Sequence, residues 1–112
     1  MLGEIGPEAK MTLPHLLVAI REDHPDVALA ASSAFHGYGE SAAPFTKGLV
    51  EMFDDVREGN EPYVLEALCG IGPAALDALP LMVESLGHGD PDVRIGAARA
   101  IGAVLFALMV GA

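Results

Sequence analysis

Apolar residues at Leu13, Leu16, Leu17 and Ile20 are separated by polar or small ones. That 3-4 spacing lays one stripe along a helix, called helix A here. Thirty-three residues later Leu49, Val50 and Phe53 repeat the pattern, and Met82, Val83 and Leu86 repeat it again. A second stripe, Val27, Ala30, Ala31, Ala34, Phe35 and Tyr38, follows the first and predicts a helix B. Leu2, Phe35, Leu68 and Ile101 share one position of this 33-residue period, and Ile5, Tyr38, Ile71 and Val104 share another. Ala9, Ala42 and Ala75 align, as do Ala34, Ala67 and Ala100. A period of this length marks a stack of supersecondary units, each needing a neighbour to cover its apolar face. In that frame Leu17, Val50 and Val83 are expected at the centre of the core.

The punctuation agrees with the periodicity. Pro25 and Pro91 stand where helix B begins, a place where a missing N–H is harmless. Asp26 and Asp92 put negative charge in the first turn, which the helix dipole favours. "LGEIG", "FHGYG" and "LCGIG" close the units at Gly6, Gly39 and Gly72, because glycine accepts the left-handed conformation that ends a helix. Gly37 and Gly70, just upstream, are read as helix-ending too. Copy two is irregular. Its helix A is expected from about Ala42 to Asp55 and its helix B at about 61–70, after a longer loop, "REGNE". Loops absorb such insertions, so drift in a tolerant surface loop is the favoured explanation and a functional loop the other. In copy three, position 105 holds Leu where the period expects Gly, so the last helix should run on to about Met109.

The units "LGEIGPEAKMTLPHLLVAIREDHPDV" and "LCGIGPAALDALPLMVESLGHGDPDV" resemble short HEAT repeats of the bacterial and phycobilisome-lyase type. The likeness lies in Leu-Gly-x-Ile-Gly-Pro, Leu-Pro-x-Leu and Asp-Pro-Asp-Val followed by an Ala-rich helix. "TLPHLLVA" has the ankyrin letters in the wrong order, and the aromatic and glycine positions of tetratricopeptide units are absent. The resemblance implies an all-α, right-handed α-solenoid of three HEAT-like helix pairs, six helices in all. It covers residues 1–112 as one domain, with repeats at approximately 7–39, 40–72 and 73–112. The family often carries Arg after "DV", and an Asp–Arg ladder then ties the repeats. Only Arg94 matches here, while Ala28 and Glu61 fill the equivalent positions. Apolar packing should therefore dominate between repeats.

Composition narrows the function. The 112 residues are 52% apolar but 5% aromatic without Trp, so close helix approach through Ala and Gly must build the core. Sixteen acidic against six basic residues give a net charge of −10, which repels nucleic acid and anionic lipid. The one cysteine, Cys69, excludes an internal disulfide and a Cys-based zinc site. The N-terminus lacks a signal-peptide pattern, and the apolar run 100–112 is too short to span a bilayer. A cytoplasmic protein is the expectation.

In HEAT-like solenoids the exposed face of the B helices is the usual contact surface. The resemblance places Ala28, Leu29, Ser32, Ser33, His36, Leu65, Glu66, Cys69, Arg94, Ile95, Ala98 and Arg99 there. Ser32, His36, Leu65, Glu66, Arg94 and Arg99 are the candidate partner-binding residues. His36 and Cys69 sit one period apart, a pair that in principle binds metal or activates a thiolate. A structural zinc site wants four ligands, so an ordinary structural pair is favoured. No catalytic set, metal site or cofactor motif is read. The A–B loops align Asp23, Asp54, Asp55, Glu58 and Asp90 on one acidic rim, either a solvated edge or a dock for a basic partner. At the C-terminus Val104, Leu105, Phe106, Leu108 and Met109 surround the last helix and predict a homodimer. The leading function is a noncatalytic protein-interaction or scaffolding module. A lyase-type HEAT enzyme, or an architectural piece of a longer solenoid, is the alternative.

Overall fold

The computed structural model describes residues 7–111, with side chains from 11–106 and at 109 and 110. The "LGEIG" copy at 2–6 and the side chains of Ala9 and Leu108 lie outside the described residues. Four long helices dominate: α1 (Pro7–Glu22), α2 (Pro25–Tyr38), α4 (Glu61–Ile71) and α6 (Pro91–Gly111). Between them lie two seven-residue α segments, α3 (Thr46–Met52) and α5 (Leu79–Ser85). No strand occurs among the described residues. The expected six regular helices are therefore four, plus two short A elements. The A elements of units two and three open with 3-10 segments, Gly39–Phe45 and Gly72–Ala78. The cause is local. Each starts on a positive-φ glycine, and a proline removes a backbone donor within it, Pro73 at the start of the third-unit segment and Pro44 near the end of the second-unit one.

The punctuation performs as expected. α2 and α6 begin at Pro25 and Pro91. Gly39 (φ 53°) ends α2 and Gly72 (φ 78°) ends α4, each donating its N–H four residues back, to Phe35 and Leu68. Gly37 and Gly70, by contrast, are helical residues inside α2 and α4 rather than stops. Gly70 allows a close crossing. A Cβ there would stand 2.7 Å from the His36 nitrogen and 2.8 Å from the Phe35 carbonyl carbon.

The B helices α2, α4 and α6 pack side by side, and each A element lies on its own B helix. The extents, 41 × 36 × 20 Å, match a slab two helices thick. The core runs between the layers through Leu13, Ile20, Phe35, Leu49, Val64, Leu68, Met82 and Val104. The A stripe is turned one position from the expected one. Leu16, Leu49 and Met82 point inward or partly inward, whereas Leu17 and Val50 are half-buried and Val83 is exposed.

Burial of equivalent B-helix positions depends on place in the stack. Val27 is 47% exposed, while its equivalents Asn60 and Val93 are fully buried against the preceding unit. Ala30, expected in the first unit's core, is exposed for the same reason. Conversely, Ala28, Ser32 and Leu65 are buried against the unit that follows, while their third-copy equivalents Arg94 and Ala98 are exposed. The stretch Glu61–Ser85 contains a window apolar enough to cross a bilayer by composition (mean hydropathy 1.5). Gly72 and the 3-10 segment after it turn the chain there, so it is not one straight helix.

The long loop of unit two does structural work. Asn60 Nδ2 donates to the carbonyls of Ile20 (3.0 Å) and Asp23 (2.9 Å), and the Arg57 N–H donates to the Arg21 carbonyl (2.7 Å). Carbonyls at the end of α1, which no helical N–H can reach, are thus capped by the next unit. Neither drift nor a binding role is needed to explain the inserted residues.

Candidate functional site

Positions one period apart on the three B helices form a grid. Leu29, Ser33 and His36 lie on α2, Pro62, Glu66 and Cys69 on α4, and Ile95, Arg99 and Gly102 on α6. The outer six are exposed and the central three half-buried. Spacings of three and four residues put each trio on one helix side, and the shared period puts the trios abreast.

Glu66 is the hub. Its Oε2 lies 2.7 Å from His36 Nε2, and its Oε1 accepts a hydrogen bond from an Arg99 guanidinium nitrogen at 2.9 Å. One carboxylate on the middle helix thereby joins both outer helices. Three of the expected site residues, His36, Glu66 and Arg99, are brought together. The other three are not. Ser32 is buried and donates its hydroxyl to the Leu29 carbonyl. Leu65 is buried between α4 and α6, where its Cβ would meet any side chain placed at Gly96. Both are expected at the surface but are buried, because the following unit covers that side of the helix. Arg94 is exposed but occupied with its own loop, donating to the carbonyls of His88 (2.7 Å) and Gly89 (3.1 Å). It therefore forms no ladder to another repeat.

Cys69 lies beside the hub, and its thiol makes a long contact, 3.9 Å, to the Arg99 carbonyl. Burial pushes the thiol's pKa above its ordinary 9.0, and the Glu66 carboxylate pushes it further in the same direction, while Arg99 opposes them. A thiol held protonated is a poor nucleophile, which argues against the activated His–Cys pair. His36 directs Nε2 at Glu66 instead. Among the described residues no group of three or more His, Cys, Asp or Glu is placed to hold a metal ion.

Sequence reasoning missed Asn60. The signal was present, because Asn60 falls at the aligned position of Val27 and Val93, a polar residue in an apolar column. The C-terminal residues divide. Val104 is fully buried, which removes it from any docking surface, because it fills the column shared with Tyr38 and Ile71. Leu105, Phe106, Met109 and Val110 are exposed along the end of α6.

Residues 78–108, spanning α5 and most of α6, match the family model of the HEAT repeat. No curated protein and no solved structure matches the chain.

Proposed function

We propose that this HEAT repeat protein is a noncatalytic scaffold whose B-helix face holds a protein or peptide partner. HEAT repeats are in general protein-interaction elements. The observation that carries the choice of face is the Glu66 hub with apolar Leu29 and Ile95 exposed on the helices either side. Ser33 and Gly102 leave room for a partner's side chains, and Arg99 and His36 offer donors above them. In this reading the three helix pairs form a short right-handed solenoid of the bacterial type, and the protein works in the cytoplasm. The charge of −10 disfavours nucleic acid and anionic membranes as partners. Exposed Phe106 and Met109 support a homodimer through the end of α6, as apolar side chains of that size seldom cluster on a monomer's surface.

The test uses affinity capture with the wild-type chain, Leu29→Asp and Arg99→Glu. Both residues are exposed, so circular dichroism should be unchanged. A partner held by the B-helix face should bind each variant at least about tenfold more weakly, since both lie where contacts would be desolvated. A partner bound equally by all three proteins refutes the assignment. Light scattering at tens of micromolar tests the homodimer, and a monomeric mass refutes it.

A further inference from the structure

A cleft of about 380 Å³ opens on the loop edge between units two and three, and its lining shares no residue with the B-helix grid. Its apolar part comes from Phe53, at the end of the second A element, and Leu81 on α5. The Phe53 and His88 rings meet at 89° with centroids 6.5 Å apart. His88 Nδ1 accepts the Asp90 N–H at 3.0 Å, which fixes the ring from its other side. Around this apolar part stand three carboxylates from three separate elements: Asp54, Glu61 and Glu84. Among the described residues none of them forms an ion pair, whereas Glu22 and Glu66 are paired with Arg21 and Arg99. Glu61 spends one oxygen on the Gly59 N–H and keeps the other.

Ser85 is a separate observation. It is only 3% exposed and lines the cleft, yet its hydroxyl makes none of the side-chain hydrogen bonds among the described residues. Nor is it one of the sealed polar atoms without a partner, which are Thr46 Oγ1 and Asn60 Oδ1. The hydroxyl is thus within reach of solvent, and Ser85 stands in the cleft lining, where a group that enters the cleft can meet it.

We infer that this cleft receives an arginine side chain from a basic segment of a partner protein. The volume suits one long side chain with its flanking backbone rather than a whole cofactor, being near the lower limit for small-molecule pockets. An aliphatic stem covers Leu81 and a planar cation packs on Phe53, while carboxylates on different walls take separate N–H groups of the fork. Ser85 accepts one more. A lysine ammonium is a compact point charge and cannot reach walls on several sides at once. Asp55, next to Asp54, and Asp90, whose N–H meets His88, add a field that draws a basic segment in. The cleft shares no residue with the B-helix grid, so either proposal can fail without the other.

The experiment is an NMR titration of the isotope-labelled full chain with acetyl-Gly-Arg-Gly-amide. Its controls are the same peptide with citrulline or with lysine. The arginine peptide should give saturable shifts concentrated at 53–54, 61 and 84–88. Glu61→Gln with Glu84→Gln should weaken binding at least about tenfold, the scale of charge-assisted hydrogen bonds. Ser85→Ala should weaken it about threefold, and Glu40→Gln, an exposed carboxylate outside the cleft lining, should leave it unchanged. Equal binding of the citrulline peptide overturns the proposal, as do shifts spread evenly over the acidic edge or affinity unaltered in the double variant. Equal binding of the lysine peptide overturns the guanidinium assignment. Amide spectra of each variant report folding directly, so a misfolded variant is replaced by the single changes.

Discussion

Replacing Asn60 tests whether the inserted loop of unit two caps the first helix. Asn60→Ala removes two hydrogen bonds, to the carbonyls of Ile20 and Asp23. Each is worth about 1 kcal/mol net, and a buried carbonyl left without a donor adds about 1–2 kcal/mol. The buried Asn60 Oδ1, which has no partner, vanishes with the side chain and offsets part of the loss. The balance is a destabilisation of about 2–4 kcal/mol, a large share of the 5–15 kcal/mol typical of a domain. Urea unfolding, followed by circular dichroism, measures it, and an unchanged m-value would show that the transition is still the same one. Asn60→Val separates hydrogen bonding from packing. Valine fills the same column at Val27 and Val93, so the space is occupied but the carbonyls remain uncapped. It should lose at least about 1.5 kcal/mol. Asn60→Asp, with acceptors turned toward carbonyls, should be no better than Asn60→Ala. An Asn60→Val protein as stable as wild type would refute the reasoning, because the position would then matter only for volume.

Gly70→Ala should destabilise by more than about 2 kcal/mol, since the new Cβ would meet the α2 backbone, while Gly102→Ala, with open space around it, should stabilise by about 0.5–1 kcal/mol; thermal unfolding of the pair checks both. Cys69 should react slowly with iodoacetamide, and Glu66→Gln should shift its rate profile to lower pH by removing a carboxylate that holds the thiol protonated. Because that thiol's pKa is raised on folding, the unfolded chain ionises first, and stability should fall as pH rises from about 9.0, a slope absent in Cys69→Ala.

Much of the architecture was legible along the chain because it depends on neighbours in sequence. A proline that needs no donor opens α2 and α6, a glycine at positive φ closes α2 and α4, and leucine in place of glycine at 105 lets α6 continue. These are choices made within one or two helical turns, and the 33-residue period repeats them. The sides of the helices were another matter. Val27, Asn60 and Val93 share a column and helical phase, yet the first is exposed and the others are sealed. Burial there requires the unit before, and no pattern within one helix carries that information. Ser32 and Leu65, expected at the surface, are buried for the converse reason, since the unit after covers them. The Glu66 hub also belongs to the tertiary level. His36 and Arg99 lie 30 and 33 residues from it, and only the side-by-side packing of α2, α4 and α6 brings one carboxylate within reach of both. Periodicity determines which residues are helical and how the units align. The stack decides which face is core, which is capped and which is left exposed, because apolar burial and buried hydrogen bonds depend on what stands opposite.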